Sequence, residues 1–256
     1  MSDPIVLYDI PLNANGTAWS PHTWRTRYTL NYKNLAYRTV WVPYTSIEPT
    51  SKRLAARPTS LWPDDAPRYT LPAIFDPSTN TPIADSIAIA RYLDAQYPHT
   101  PRVIPEGTEG FHEAFLVALD AVTSPALRNL AMPASLVRID DEAAKAKYKR
   151  DREWQVGGAM EEWAPEGSEK RVGLWRELEA GLAKVAKWYE AGEDKDRKFL
   201  MGDDPVMADF VVAGRLMWLK VVLGEEHEEW KAVETWHEGR WAKLLKDLEV
   251  YAEVKV

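Results

Sequence analysis

The stretch Tyr97-Pro98-His99-Thr100-Pro101 divides this chain into two halves of different character. A helix does not easily cross two closely spaced prolines, since each lacks a backbone N–H and pushes the residue before it out of the helical region. Before the break, proline and β-branched residues are frequent; after it, alanine, leucine, glutamate, lysine and tryptophan recur at helical spacing. The shift predicts an α/β domain over residues 1–98 and an all-helical domain over 107–256, joined by an extended linker.

In the first half, Ile5 to Tyr8 has the length and apolarity of a buried strand, and Ser20-Pro21 opens a helix over Thr23 to Tyr32. Tyr37 to Val42 reads as a second strand. Leu71 to Phe75 and Thr81 to Ala84 flank Asp76-Pro77-Ser78-Thr79-Asn80, turn chemistry between two short strands. A helix follows from about Asp85 to Tyr97, with Ile83, Ile87, Ala90 and Leu93 returning on one face. The order is β-α-β, a long crossover over 43–70 with one short helical segment at Glu48 to Ala56, then β-β-α. A crossover of that length inside a compact domain is usually functional. In the second half the periodicity predicts five helices, near 108–132, 140–163, 168–191, 206–223 and 226–248. The fourth is apolar nearly all round and is expected at the centre of the bundle.

Several function classes are disfavoured. A net charge of -7 argues against non-specific nucleic-acid binding, which rests on many lysine and arginine contacts to phosphate. The longest basic cluster, Lys145 to Arg152, reads as a solvated helix face. Val206 to Leu223 contains Asp209, Arg215 and Lys220, so it is expected to be a buried helix and not a membrane span. No secretory signal is evident, and a cytoplasmic protein is expected. There is no cysteine, so any sulfur chemistry uses a borrowed thiol, and the five histidines show no metal-binding spacing.

Three segments carry chemistry worth weighing. Ser20 before Pro21 is an ordinary helix opening, yet a helix start after a first strand also presents N–H groups and positive partial charge to an anion, a thiolate included. Pro72 after Leu71 suits a strand edge; a cis peptide there would leave the main chain of Leu71 free to pair with an extended ligand. Asp85-Ser86 are capping residues that also suit the ammonium and carboxylate of one small ligand, with Asp85 expected to be at least partly buried.

Taken in order, Ser-Pro-x-x-x-Arg-x-Arg, Thr-Leu-Pro-x-Ile-x-Asp and Ile-Ala-Asp-Ser-x-x-Ile-x-x-Tyr-Leu resemble the N-terminal domain of glutathione transferases. Phe199 to Phe210 resembles the start of that family's buried helix. At the usual Ser or Thr cap stands Val206, for which Asp203 or Asp204 is the expected substitute. The wider sequence is similar to the fungal-specific A-class transferases and the bacterial β-etherases of lignin breakdown. Ser20 aligns with the Cys of the omega-like branch.

The resemblance implies a thioredoxin-like domain followed by a helical bundle, and glutathione as co-substrate. Its γ-glutamyl end would lie at Asp85 and Ser86, its cysteinyl backbone at Leu71 and a cis Pro72, and its thiolate at Ser20. Lys52, Arg57 and Arg68, all in the crossover, are the candidates for the glycyl carboxylate, and the sequence does not rank them. A hydrophobic aromatic second substrate would lie against Trp19, Phe111, Phe115 and Met132, although simple core packing is the favoured role for Phe115. A homodimer is implied as well. The rival readings are a non-catalytic carrier of aromatic compounds and a pure interaction module.

Overall fold

The structure, a computed structural model, describes residues 3–192 and 197–256. The first half is a four-stranded sheet with helices on it. Strand β1 (Ile5–Asp9) crosses over through α1 (Pro21–Tyr32) to a parallel strand β2 (Tyr37–Trp41). After a 3-10 turn at Tyr44–Ser46 come α2 (Ile47–Arg53) and a small hairpin, β3 (Ser60–Leu61) with β4 (Pro67–Arg68). The antiparallel pair β5 (Ala73–Asp76) and β6 (Thr81–Ala84) leads into α3 (Ser86–Gln96). The strand order β2-β1-β5-β6, with only β1 and β2 parallel, is thioredoxin-like. Ile5, Leu7, Leu30, Tyr37, Ile74, Ile89 and Leu93 form the core between this sheet and its helices. An all-helical half follows: α4 (Glu109–Arg138), α5 (Glu142–Val156), α6 (Glu169–Tyr189), α7 (Met207–Leu223) and α8 (Glu228–Asp247). Among the described residues no helix is long and apolar enough to cross a membrane.

Several element boundaries depart from the periodicity, each for a local reason. Helix α2 stops at Arg53, short of Ala56, because Ala55 turns into the left-handed region and Pro58 disfavours helix at Arg57. The crossover, read as loop beyond that helix, carries the β3–β4 hairpin. Helix α4 passes through Pro125 and continues past Met132, through Pro133, to Arg138. Burial of Leu119, Ala126, Leu127, Leu130 and Ala131 offsets the lost N–H bonds. Helix α5 ends at Val156, since Gly157 and Gly158 both take positive φ. Helix α8 is broken at Trp236–Gly239, where His237, Glu238 and Gly239 have positive φ and the His237 ring accepts from Trp241 Nε1 at 2.8 Å.

Buried charges hold the two halves together. Asp94 accepts from Lys33 Nζ at 2.8 Å and from the N–H groups of Val103 and Ile104, which clamps the linker onto α3. Val103 in turn accepts from Met207 N at 2.7 Å at the start of α7. Val206 makes no side-chain cap, and neither Asp203 nor Asp204 replaces it. Asp209 does so from inside the helix, accepting from Val206 N and Leu200 N, both at 2.9 Å, and from Tyr189 Oη at 2.8 Å. Burial pushes its carboxyl up to about 6 against the pull of those donors. Helix α7 lies directly against the first turn of α1. A Cβ on Gly214 would come 2.5 Å from the Pro21 carbonyl oxygen, so only glycine permits that approach.

Candidate active site

The close approach of α1 and α7 sets one wall of a cavity of about 580 Å³ between the two halves of the chain. Ser20 opens α1 and lines this cavity, with its backbone extended at φ -63° and ψ 129°. Its carbonyl accepts from Trp24 N and Thr23 Oγ1, but its hydroxyl makes no capping hydrogen bond. The hydroxyl and the helix start, with its positive partial charge, are therefore available to an anion in the cavity.

Leu71-Pro72 is a cis peptide, and both residues line the cavity beside Ser20. Pro72 O accepts from Asp85 N at 3.3 Å, which joins the second sequence segment to the third. Asp85 caps α3, its Oδ1 accepting from Ile87 N at 2.9 Å and Ala88 N at 3.0 Å. Its φ of 81° is a backbone conformation that costs a non-glycine residue about 1–3 kcal/mol. Contrary to the expectation of partial burial, Asp85 is exposed at the cavity rim, whereas Ser86 beside it is buried. The reason is the N-cap position itself, which lies outside the helix proper and ahead of the packed face.

Arginines are the main charged residues of the wall. Arg25 is buried, lines the cavity, and has no hydrogen-bond partner on Nε. Burial and then Arg215 lower its guanidinium to about 9, while Asp120 and Asp85 act in the opposite sense. Arg215 is held by Asp120 and Thr123. His22 lines the cavity. The protein crowded around its ring, followed by Arg25, Arg215, Arg152 and Arg68, disfavours the imidazolium and holds its titration well below the ordinary range.

Aromatic rings make up the rest. Trp19 meets Tyr148 edge-on at 5.9 Å, and Tyr148 meets Tyr44 at 5.3 Å. Trp62 of the β3–β4 hairpin stacks on Trp154 of α5 at 5.3 Å, closing that side. Among the described residues no group of acidic or histidine side chains is arranged to hold a metal ion.

Three sequence expectations are corrected here. Phe111 is 77% exposed and Phe115 packs on Trp188 at 5.5 Å, so neither lines the cavity. The stripe of α4 that does so runs Leu116, Asp120, Ser124, Leu127 and Met132. At 100° per residue, Phe111 and Phe115 lie about 140° and about 100° around the helix from Leu116. Lys52 is not part of the wall, its exposed ammonium being held 2.7 Å from Glu48, and Arg57 is exposed as well; of the three basic candidates only Arg68 lines the cavity. The basic run Lys145 to Arg152 is not wholly solvated, because Lys147, Tyr148, Asp151 and Arg152 turn inward while Arg150 faces solvent.

A family model described as "Glutathione S-transferase, C-terminal domain" matches residues 110–251, and one for the N-terminal domain of the same family matches 19–96. The chain belongs to the glutathione S-transferase family. Among solved structures, this glutathione S-transferase is similar to CsGST63524 of Ceriporiopsis subvermispora, determined in complex with glutathione: 44% identity over 98% of this chain and 99% of that one, TM-score 0.93. GSTFuA3 of Phanerochaete chrysosporium is 39% identical over the whole of both chains, with a TM-score of 0.92. The glutathione S-transferase-like protein ustS of Aspergillus flavus is 28% identical over 93% of this chain and 92% of its own length.

Within this transferase, sequence reasoning overlooked Tyr44, Trp62, Tyr148 and Arg152, and assigned no role to Arg25. A usable signal existed for two of them. Tyr148 and Arg152 are four apart on α5, with Gln155 three further on, which places all three along one face.

Proposed function

We propose that this protein activates the thiol of glutathione at Ser20 for attack on a hydrophobic aromatic electrophile. The reading is carried by one observation: an uncapped serine hydroxyl at a helix start shares a single cavity with Leu71, cis Pro72, Asp85 and Ser86. The glutathione complex of the 44% identical Ceriporiopsis protein supports the same ligand here.

In this reading, residues 1–98 hold glutathione and 107–256 supply the far wall. The free oxygen of Asp85 takes the γ-glutamyl ammonium, Ser86 and the buried Arg25 take its carboxylate, and Leu71 pairs with the cysteinyl main chain. Arg68, in place of Lys52, receives the glycyl carboxylate. The serine hydroxyl is too weakly acidic to act as a base at neutral pH, so it donates to the thiolate. With the start of α1 it lowers the thiol from about 8.5 towards neutrality. The sulfur then forms a C–S bond as the leaving group departs with the bonding pair.

Trp19, Tyr44, Trp62, Tyr148 and Met132 supply surface for an aromatic ring. The 39% identity to GSTFuA3 supports placing the chain with the fungal A-class transferases, and aryl ethers or wood-extractive compounds as its electrophiles. The same aromatic surface favours one alternative, a glutathione-dependent carrier. Turnover measured with and without glutathione, together with displacement of a fluorescent aromatic dye, separates the two: dye displacement without turnover leaves the carrier.

Asp85→Asn is expected to weaken glutathione binding about tenfold, since it removes a charge-assisted contact to the ammonium. The melting temperature should hold, because asparagine caps a helix as well as aspartate does. Unchanged affinity by calorimetry would remove Asp85 from the site. The reading also includes a homodimer, for which Phe111 and Val117, both exposed on α4, offer apolar surface. Light scattering at micromolar concentration is expected to give twice the chain mass of 29.2 kDa.

A further inference from the structure

We propose that the second substrate is an aromatic acid, whose ring lies among Trp19, Tyr44 and Tyr148 and whose anionic group is bound by Arg152. This rests on the glutathione-transferase reading above and goes beyond it in naming the substrate's charge.

The argument begins with charge balance at the α5 end of the cavity. Lys147 has its partner in Asp151. Arg152 has no carboxylate within 4 Å among the described residues; its Nη1 donates to Gln155 Oε1 at 2.9 Å, and its Nε is buried without a partner. The guanidinium lies 5.1 Å from the ring of Tyr148 and 5.9 Å from that of Tyr44. Neither phenol supplies the missing negative charge. Burial pushes Tyr44 up to about 12 and raises Tyr148 as well, so both are neutral at pH 7.

Glutathione does not remove this imbalance. It brings one carboxylate to each of its ends: Arg25 serves the end at Asp85 and Ser86, and Arg68, 4.7 Å over Trp62 on the β4 side, serves the other. Arg152 lies near enough to Arg68 to lower that guanidinium, so a single glycyl carboxylate serving Arg68 leaves positive charge in excess, and its ring neighbour Tyr148 is in edge contact with Trp19, the residue before Ser20. A neutral aromatic entering this chamber would strip water from the guanidinium and return nothing for it. A carboxylate, sulfate or phenolate on the ring instead gives Arg152 a charge-assisted partner, the carboxylate matching the planar fork of the guanidinium.

The test compares 4-chloro-3,5-dinitrobenzoate with its methyl ester as electrophiles, each rate divided by the uncatalysed rate with free glutathione at the same pH. The acid is expected to be favoured about tenfold or more in kcat/KM. Arg152→Gln should abolish that preference by lowering kcat/KM for the acid and raising it for the ester, which no longer strips water from a guanidinium, and Arg152→Lys should retain part of it. Equal use of acid and ester by the wild-type protein overturns the proposal. So does an Arg152→Gln variant that loses both substrates alike, or one that raises the KM for glutathione, which would make Arg152 a glutathione ligand. A parallel measurement uses displacement of 8-anilinonaphthalene-1-sulfonate from the glutathione-saturated protein. Acid-selective displacement without turnover sinks the catalytic reading, and with it the acid's role as substrate, and leaves Arg152 as the anion site of a carrier; displacement that does not distinguish acid from ester overturns the Arg152 site itself.

Discussion

Ser20→Ala is expected to slow conjugation on the order of 10- to 100-fold, by removing a hydrogen bond made to developing charge at the reacting atom. The bound thiol should titrate at higher pH, followed by thiolate absorbance in the ultraviolet across a pH series. The melting temperature should scarcely move. A serine that capped α1 would cost about 1 kcal/mol on removal, but the Ser20 hydroxyl makes no such bond, and the helix start is held through its carbonyl, which alanine keeps. A fall in melting temperature with turnover and thiol titration intact would reduce Ser20 to a packing residue. Thr17 is no ready substitute, because its hydroxyl donates to Asn13 at 3.1 Å and it does not line the cavity. Thiolate stabilisation would then rest on the start of α1 alone, and the carrier reading would lead.

The largest effect on stability is expected at Asp209. Alanine there strands the N–H groups of Leu200 and Val206 and the Tyr189 hydroxyl in the interior, a loss of about 4 kcal/mol at 1–3 kcal/mol per unsatisfied group. Urea unfolding measures it, and a loss below about 1 kcal/mol would contradict the network. Asp209→Asn adds a dependence on pH. The carboxyl titrates at about 6 when folded, against an ordinary 3.8, so between those values the native state binds more protons than the unfolded chain. The contribution is fully present below about 4 and is lost as pH rises through 6. The advantage of wild type over the asparagine variant should therefore shrink by about 3 kcal/mol between pH 4 and pH 7. An advantage that instead grows over that interval would show the sign to be wrong.

What proved legible from the chain alone has a common physical basis: it depends on residues close together in sequence. The turn chemistry of Asp76 to Asn80 dictates a hairpin whatever packs on it, and Ser20-Pro21 and Asp85-Ser86 begin helices through local backbone preferences. Their order, strand then helix start, proline before strand, cap before helix, was sufficient to reach the transferase family and its fold. The linker prolines marked the change from sheet to helices for the same reason.

Tertiary packing decided what local preference leaves open. The run Lys145 to Arg152 is charged on both sides, so hydropathy cannot set its rotation about the helix axis; contact with Tyr44 and Trp19 turns Tyr148 and Arg152 inward. Phe111 and Phe115 carry the apolarity expected of a substrate wall, yet helical rotation directs them elsewhere and gives the wall to Leu116, Asp120 and Leu127. Asp209 takes over the cap at Val206 because a buried carboxylate needs donors and the helix start needs acceptors, a match visible only once Tyr189 and Leu200 are brought alongside. The sequence by itself determined the family and the order of elements. Which side chains surround the second substrate, and with what charge, is set by the angle at which separate helices meet, and that angle is a property of the packed core alone.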